Sequence, residues 1–253
     1  MPQKRIDQIL DILKTHGYVT VNYLCRELHY STATINRDLN ELQRQNKIVR
    51  HYGGAELKEN KGTPLIFRYH KMRPVKRQLS KLAAEGIREG MTVFIDGCTT
   101  TQYMAEYIKQ IPGLTVITNN LNLASFLSEE GVRCVVLGGQ LAEPPYMTGG
   151  AEAALHAGSY RADMAFFSTG GVTEDGFIAD GEVYYPLHKA MLQNAKERIF
   201  LVDSQKVGVS GKRVLGDFSQ VDTVISDFDF SGEVKARFPH TAFVQADPPK
   251  TKK

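Results

Sequence analysis

The chain has 253 residues, 42% apolar and 23% charged, enough to bury one large core or two smaller ones. No run of 18 or more apolar residues occurs, and the start "MPQKRIDQIL" lacks a signal-peptide apolar stretch, so neither a membrane span nor a secretory leader is expected. The net charge of +3 is uneven: residues 1–54 carry 8 basic and 5 acidic residues, residues 55–81 carry 8 and 2, and residues 82–253 carry 15 and 21. A basic front on an acidic body fits a polyanion bound by the front, although a solvated charged surface gives the same split. The three cysteines, Cys25, Cys98 and Cys134, are far apart and without zinc-ligand spacing. A disulfide framework is therefore not expected, and a reducing cytoplasm is the expected compartment.

In chain order, Ile6, Ile9, Leu10 and Leu13 recur at helical spacing and predict a first amphipathic helix over Pro2 to Thr15, stopped by Gly17. A short extended piece follows. Thr20 then caps a second helix with Val21, Leu24, Cys25 and Leu28 on one face, where Cys25 reads as a small packing residue. His29 sits in a tight turn that needs positive φ, which His tolerates better than most residues. Ser31 caps a third helix, "TATINRDLNELQRQ", with Ile35, Leu39 and Leu42 as its buried stripe. Its outward face carries Thr32, Thr34, Asn36, Arg37, Asn40 and Arg44. Short hydroxyls at the helix start, then amides and arginines, suit a reader of the DNA major groove. "KIVRHYGGAEL" then predicts a β-hairpin turning at Gly53-Gly54, with Arg50, His51 and Tyr52 at its tip. One such helix alone would more often be a core piece. Three short helices and a basic hairpin together make a winged helix, with Ser31, Thr32, Thr34, Asn36, Arg37, Asn40, Arg50, His51 and Tyr52 as candidate DNA contacts.

The stretch Val21 to Ala55 resembles the DeoR family of bacterial transcriptional repressors, in the pattern V-x-x-L-x-x-x-L-x-x-S-x-x-T-I-x-R-D-L-x-x-L followed by a G-G-A wing. Asn36 stands where that family often has arginine, which changes the operator read. Lys58 to Pro74 reads as a basic connector, in which Leu65, Ile66, Phe67 and Tyr69 are apolar enough to dock on a surface. The segment "LIFRYHK" departs from the acidic linker usual in the family.

From Leu79 a helix runs to Arg88, and apolar runs then alternate with helical segments: residues 92–96, 114–118, 132–137, 162–167, 198–203 and 222–227. Segments such as "TQYMAEYIKQ", "NLASFLSEE" and "YPLHKAMLQNAKE" read as the intervening helices. This pattern predicts an α/β domain with a mostly parallel sheet, whose ligands sit beyond the carboxyl ends of the strands. Those ends read Asp96-Gly97-Cys98-Thr99-Thr100-Thr101, Thr118-Asn119-Asn120, Gly138-Gly139, Ser168-Thr169-Gly170-Gly171 and Asp203-Ser204-Gln205-Lys206. One such loop is usually an ordinary helix cap. A row of them supplies hydroxyls and N–H groups for phosphate, amides and carboxylates for sugar hydroxyls, and a lysine as counter-charge.

"FIDGCTTTQYMA", "VITNN", "VVLGG" and "LVDSQKVG" look like the sensor domain of the same family, a Rossmann-like α/β domain similar to the ribose-5-phosphate isomerase and glucosamine-phosphate deaminase fold. The resemblance implies a phosphorylated sugar or polyol as effector. Its implied contacts are Asp96, Gly97, Cys98, Thr99, Thr100, Thr101, Thr118, Asn119, Asn120, Gly138, Gly139, Lys206 and, on a helix, Lys189. Cys98 departs from the family's usual glycine and Gly170 from its usual aspartate. Asp175, Asp180 and Glu182 are candidate polar wall or plain loop acids. The expected division is 1–57 as the DNA-binding domain, 58–78 as the linker, 79–236 as the sensor and 237–253 as a tail.

Three functions stay open on the residues. One is a repressor of a sugar or polyol operon, a homodimer or homotetramer on operator DNA, released by a phosphorylated sugar. Another is a sugar-phosphate isomerase or deaminase with a DNA-binding head. The third is an activator with no small ligand. Proton transfer beside a carbonyl needs a positioned base, and the loop expected to carry it offers only Ser168, Thr169 and glycines. Binding without turnover is the favoured reading, with no cofactor and no metal.

Overall fold

The computed structural model describes residues 2–16, 18–45, 47–51, 53–57, 71–143, 146–173, 176–178, 183–209 and 213–247. The chain forms two compact units, Met1–Lys71 and Met72–Lys253.

In the first unit, helices α1 (Pro2–His16), α2 (Val21–Leu28) and α3 (Thr32–Arg44) pack with strands β1 (Tyr18–Thr20), β2 (Ile48–His51) and β3 (Gly54–Leu57). The strands form an antiparallel sheet in the order β1-β3-β2. Ile6, Ile9 and Leu13 of α1, Leu24 of α2 and Ile35, Leu39 and Leu42 of α3 bury one core, with Ile48 and Ala55 of the wing closing it. The local signals work as the residue types dictate. Thr20 Oγ1 accepts from Tyr23 N at 3.1 Å and Ser31 Oγ from Thr34 N at 3.4 Å, so both helix starts are capped. His29 ends α2 at φ 55°. His51 already pairs with Gly54, so the hairpin turns one residue earlier than Gly53-Gly54, on Gly53 at φ +83°. Tyr52 lies outside the described residues, as do residues 58–70, which hold most of the connector, and Asp175, Asp180 and Glu182.

The second unit opens with α4 (Arg73–Ala84). Pro74 had marked the connector, but proline is at home in a first helical turn, where its missing N–H costs nothing. The helix therefore starts ahead of the expected boundaries at 78 and 79 and buries Val75, Leu79 and Ala83. The chain continues through β4 (Thr92–Ile95), a short 3₁₀ helix (Thr101–Met104), α5 (Ala105–Ile108), β5 (Thr115–Thr118), α6 (Leu121–Glu129), β6 (Arg133–Val136), β7 (Gln140–Glu143), β8 (Met147–Gly149) and α7 (Ala151–Gly158). It ends through β9 (Ala162–Phe167), β10 (Gly171–Thr173), β11 (Gly176–Ile178), α8 (Tyr185–Gln193), β12 (Ala195–Val202), β13 (Val214–Gly216), β14 (Thr223–Ser226), α9 (Gly232–Arg237) and β15 (Ala242–Gln245). Strand β12 begins at Ala195, inside the segment read as helical, because Asn194 ends α8. The sheet continues through β15, inside the expected tail, and pairs with β14.

The main sheet has 7 strands in the order β15-β14-β12-β9-β4-β5-β6, and every pairing is parallel. Apolar side chains such as Val93, Ile95, Val116, Phe166 and Leu201 face one buried layer, and Phe94, Ile117 and Ala165 the other. Strands buried on both faces read as unbroken apolar runs. The chain leaves β4 towards β5 on one side and leaves β9 towards β12 on the other. The strand order thus reverses between β4 and β9, and such a switch point opens a crevice at the carboxyl ends of the strands.

Candidate functional site

Of the candidate DNA contacts, Ser31, Thr32, Thr34, Asn36, Arg37 and Asn40 lie on or beside α3, and Arg50 and His51 on β2 of the wing. Ser31 and Thr32 are exposed beside the helix start, and Thr34 Oγ1 lies 3.1 Å from Ser31 Oγ. Arg37 and Asn40 are exposed and Asn36 half-buried on the outward face. Arg50 of β2 donates from Nη2 to Asn36 Oδ1 at 2.7 Å and from Nη1 to Asn40 Oδ1 at 2.8 Å. The wing arginine and both asparagines of the helix are therefore one hydrogen-bonded group. Behind them, Arg5 of α1 forks onto Asp38 with both Nε and Nη2, the latter 2.9 Å from Oδ1. That bridge ties α3 to α1.

In the second unit the switch point is organised by Asp96, which is fully buried. Its carboxylate accepts from Ser168 N at 2.9 Å, Cys98 N at 3.2 Å and the Thr101 hydroxyl, and His188 Nε2 stands 3.3 Å away. Burial pushes this carboxyl up, but the His188 hydrogen bond and charge, with the Cys98 and Thr101 contacts, outweigh it and leave Asp96 below the ordinary carboxylate value. The four partners come from the β4 loop, the β9 loop and α8, so Asp96 ties these three elements together.

Around it, Lys76 Nζ of α4 donates to Thr99 Oγ1 at 2.9 Å, and Ser80 Oγ to the Thr100 carbonyl at 2.6 Å. Lys206 Nζ donates to Ser168 Oγ at 2.9 Å and lies 3.9 Å from Asp203 Oδ2. Cys98 turns its Sγ to the Ser168 carbonyl at 3.0 Å, so it is spent on the β9 loop. Asn119 donates from Nδ2 to the Thr148 carbonyl at 2.7 Å, while its Oδ1 and the Thr100 hydroxyl are buried without a hydrogen-bond partner among the described residues. At Gly97 a Cβ would meet the Asn119 Oδ1 at 3.2 Å and the Met147 side chain closer still, so any side chain there would have to displace Met147.

Other candidates have local work. Thr118 Oγ1 accepts from Asn120 N at 3.1 Å, and Asn120 Oδ1 caps α6 through Leu123 N at 3.0 Å. Gly138 N donates to His156 Nδ1 at 3.3 Å, and Gly139, at φ +143°, lies against the Gly149 carbonyl. Lys189 sits 5.9 Å over the Tyr185 ring, and its neighbour His188 is the α8 residue that reaches the loops. Lys76, Ser80 and His188 thus join the cluster beyond the sequence-derived residues, and Ser168, one of the strand-end residues, is brought in by its contacts with Asp96 and Lys206. The helical phase could have found His188, because Leu187, His188, Met191 and Leu192 form the buried stripe of α8.

A winged helix-turn-helix followed by an α/β unit with a polar cluster of hydroxyls and two lysines at its switch point fits a DNA-binding regulator with a sensor domain. The DeoR-like helix-turn-helix domain model matches residues 5–61 and the DeoR C terminal sensor domain model residues 72–228. The chain belongs to the DeoR family of transcription regulators and is a regulator rather than an enzyme. It is 32% identical over 244 residues to the HTH-type transcriptional repressor GlcR of Bacillus subtilis, covering 95% of this chain and 91% of that protein. It is 32% identical over 227 residues to the glycerol-3-phosphate regulon repressor of Escherichia coli, covering 88% and 90%. A ribose-5-phosphate isomerase in complex with phospho-erythronic acid is a distant structural neighbour, at 16% identity, TM-score 0.40 and 52% of each chain. Among the described residues no helix is long and apolar enough to cross a membrane.

Proposed function

We propose that this protein is a cytoplasmic repressor whose second unit binds a phosphorylated sugar or polyol without turnover, and that binding releases an oligomer of the protein from its operator. The observation that carries this reading is the polar cluster at the switch point, where Lys76 and Lys206 stand on the Thr99 and Ser168 hydroxyls beside the Gly97 turn. Cations, hydroxyls and backbone N–H groups at strand ends are phosphate chemistry, and the nearby Asn119 amide suits a sugar hydroxyl. The repressor names of the two relatives favour repression, and the name of the second puts a polyol phosphate within the effector class.

A thermal-shift panel of sugar and polyol phosphates, paired with their unphosphorylated forms, tests it. One phosphorylated compound raises the melting temperature, its unphosphorylated form does not, and the same compound releases the operator. Lys206→Ala abolishes the shift and keeps operator binding, whereas Arg37→Ala does the reverse. Turnover of the bound compound at enzyme-like rates, or release by none of the panel, overturns the proposal.

A further inference from the structure

The Arg50 guanidinium lies across the outward face of α3 and holds two amides by their oxygens. Nη2 to Asn36 Oδ1 is 2.7 Å, Nη1 to Asn40 Oδ1 is 2.8 Å, and Nη1 to the Asn36 carbonyl is 3.4 Å. Positions 36 and 40 are one helical turn apart, so one planar fork spans both. A guanidinium has donors and no acceptor, so each amide must present its oxygen to Arg50 and turn its NH₂ group elsewhere.

This orientation has a consequence for base reading. An asparagine reads adenine by accepting from N6–H with its oxygen while its NH₂ donates to N7. Each oxygen keeps a second lone pair, but with both turned to Arg50 the orientation of Asn36 and Asn40 is fixed and their NH₂ groups are the free donors, and the remaining Nη2 hydrogen adds another. Guanine is the base whose major-groove edge offers two neighbouring acceptors, O6 and N7, and no donor.

We propose that Arg50, Asn36 and Asn40 form one donor cassette that selects guanine in the operator, and that Arg50 sets the selectivity by fixing the orientation of the two amides. The proposal rests on α3 being the base-contacting helix. Without Arg50 the amides are free to turn and pair with adenine. A wing arginine that served only as a phosphate contact would behave differently. Its loss would weaken every sequence alike and lower the salt dependence by about one counterion.

Selection of the full chain on a randomised duplex library, at fixed salt, tests the cassette. Wild type recovers a motif with guanine preferred roughly tenfold or more over adenine at the contacted position. Arg50→Met, which keeps the stem and removes the donors, stays sequence-specific and shifts that position to adenine. A wild-type motif without guanine, or an Arg50→Met motif unchanged from wild type, overturns the proposal. A wild-type measurement avoids any folding defect of the variant: replacing the motif guanine by its 7-deaza analogue removes the N7 acceptor and costs roughly tenfold in affinity, and no loss overturns the cassette. Arg37→Ala separates the levels, because a variant that keeps the wild-type motif would instead remove α3 from the groove.

Discussion

Asp96 is fully buried, and its carboxylate is the point where the β4 loop, the β9 loop and α8 meet. It stands at the end of β4, as a ligand-binding acid would, yet four groups of the protein already hold it. Its lowered pKa ties it to stability. A group with a depressed folded value contributes stability above its unfolded value, near 3.8, and loses it as pH falls through the folded value. Wild type therefore loses stability as pH drops below about 4. Asp96→Asn is less stable at neutral pH and shows a flatter profile in that acid window, measured by urea unfolding at stepped pH. An equally steep acid loss in Asp96→Asn would assign the effect to other carboxylates. Cys98 has a similar lesson. Its side chain follows the Gly97 turn, and contact with the Ser168 carbonyl turns it onto the β9 loop. Ser168 was visible as a strand-end residue, but its link to Asp96 spans 72 positions of sequence and no local pattern encodes it.

At the scale of elements, α3 shows what periodicity does and does not reveal. Ile35, Leu39 and Leu42 are legible as its buried stripe, and Asp38 falls on the same side, 4% exposed. A charge on a buried face demands a partner, and helical spacing alone flags it. The partner, Arg5, lies 33 residues away and enters only with the fold. Arg5→Ala leaves the Asp38 carboxylate without its fork, and with side chains 11% and 6% exposed the loss is about 2–3 kcal/mol. The double variant Arg5→Met, Asp38→Leu recovers most of that, because no charge is then stranded. Denaturant unfolding followed by a probe in the first unit reads both, and a double variant as unstable as Arg5→Ala would contradict this account. The same contrast runs through the sheet. Its central strands are legible as apolar runs, whereas the start of α4 is hidden by Pro74 and β15 by its partly polar sequence, "AFVQ".

At the scale of the whole molecule, the order of strands explains why separate loops form one site. The reversal between β4 and β9 brings the Asp96 loop and the Ser168 loop face to face, with α8 and β12 adding His188 and Lys206. Under the proposed function this crevice must communicate with α3, and thermodynamics constrains that coupling without specifying its route. An effector can shift the DNA-binding equilibrium only by its difference in affinity between the DNA-competent and released states. The coupling is reciprocal, so the factor by which effector weakens operator binding equals the factor by which operator weakens effector binding. A typical coupling of about 1–3 kcal/mol corresponds to roughly 5–150-fold. Calorimetric titration of effector into the full chain, alone and saturated with operator, is expected to give that factor. Operator titrations with and without effector must return the same number. With Arg37→Ala, which has lost specific DNA contact, operator leaves the effector affinity unchanged. A phosphorylated compound that binds equally well in the presence and absence of operator is a ligand of the crevice but not the inducer, because equal affinity for both states moves neither.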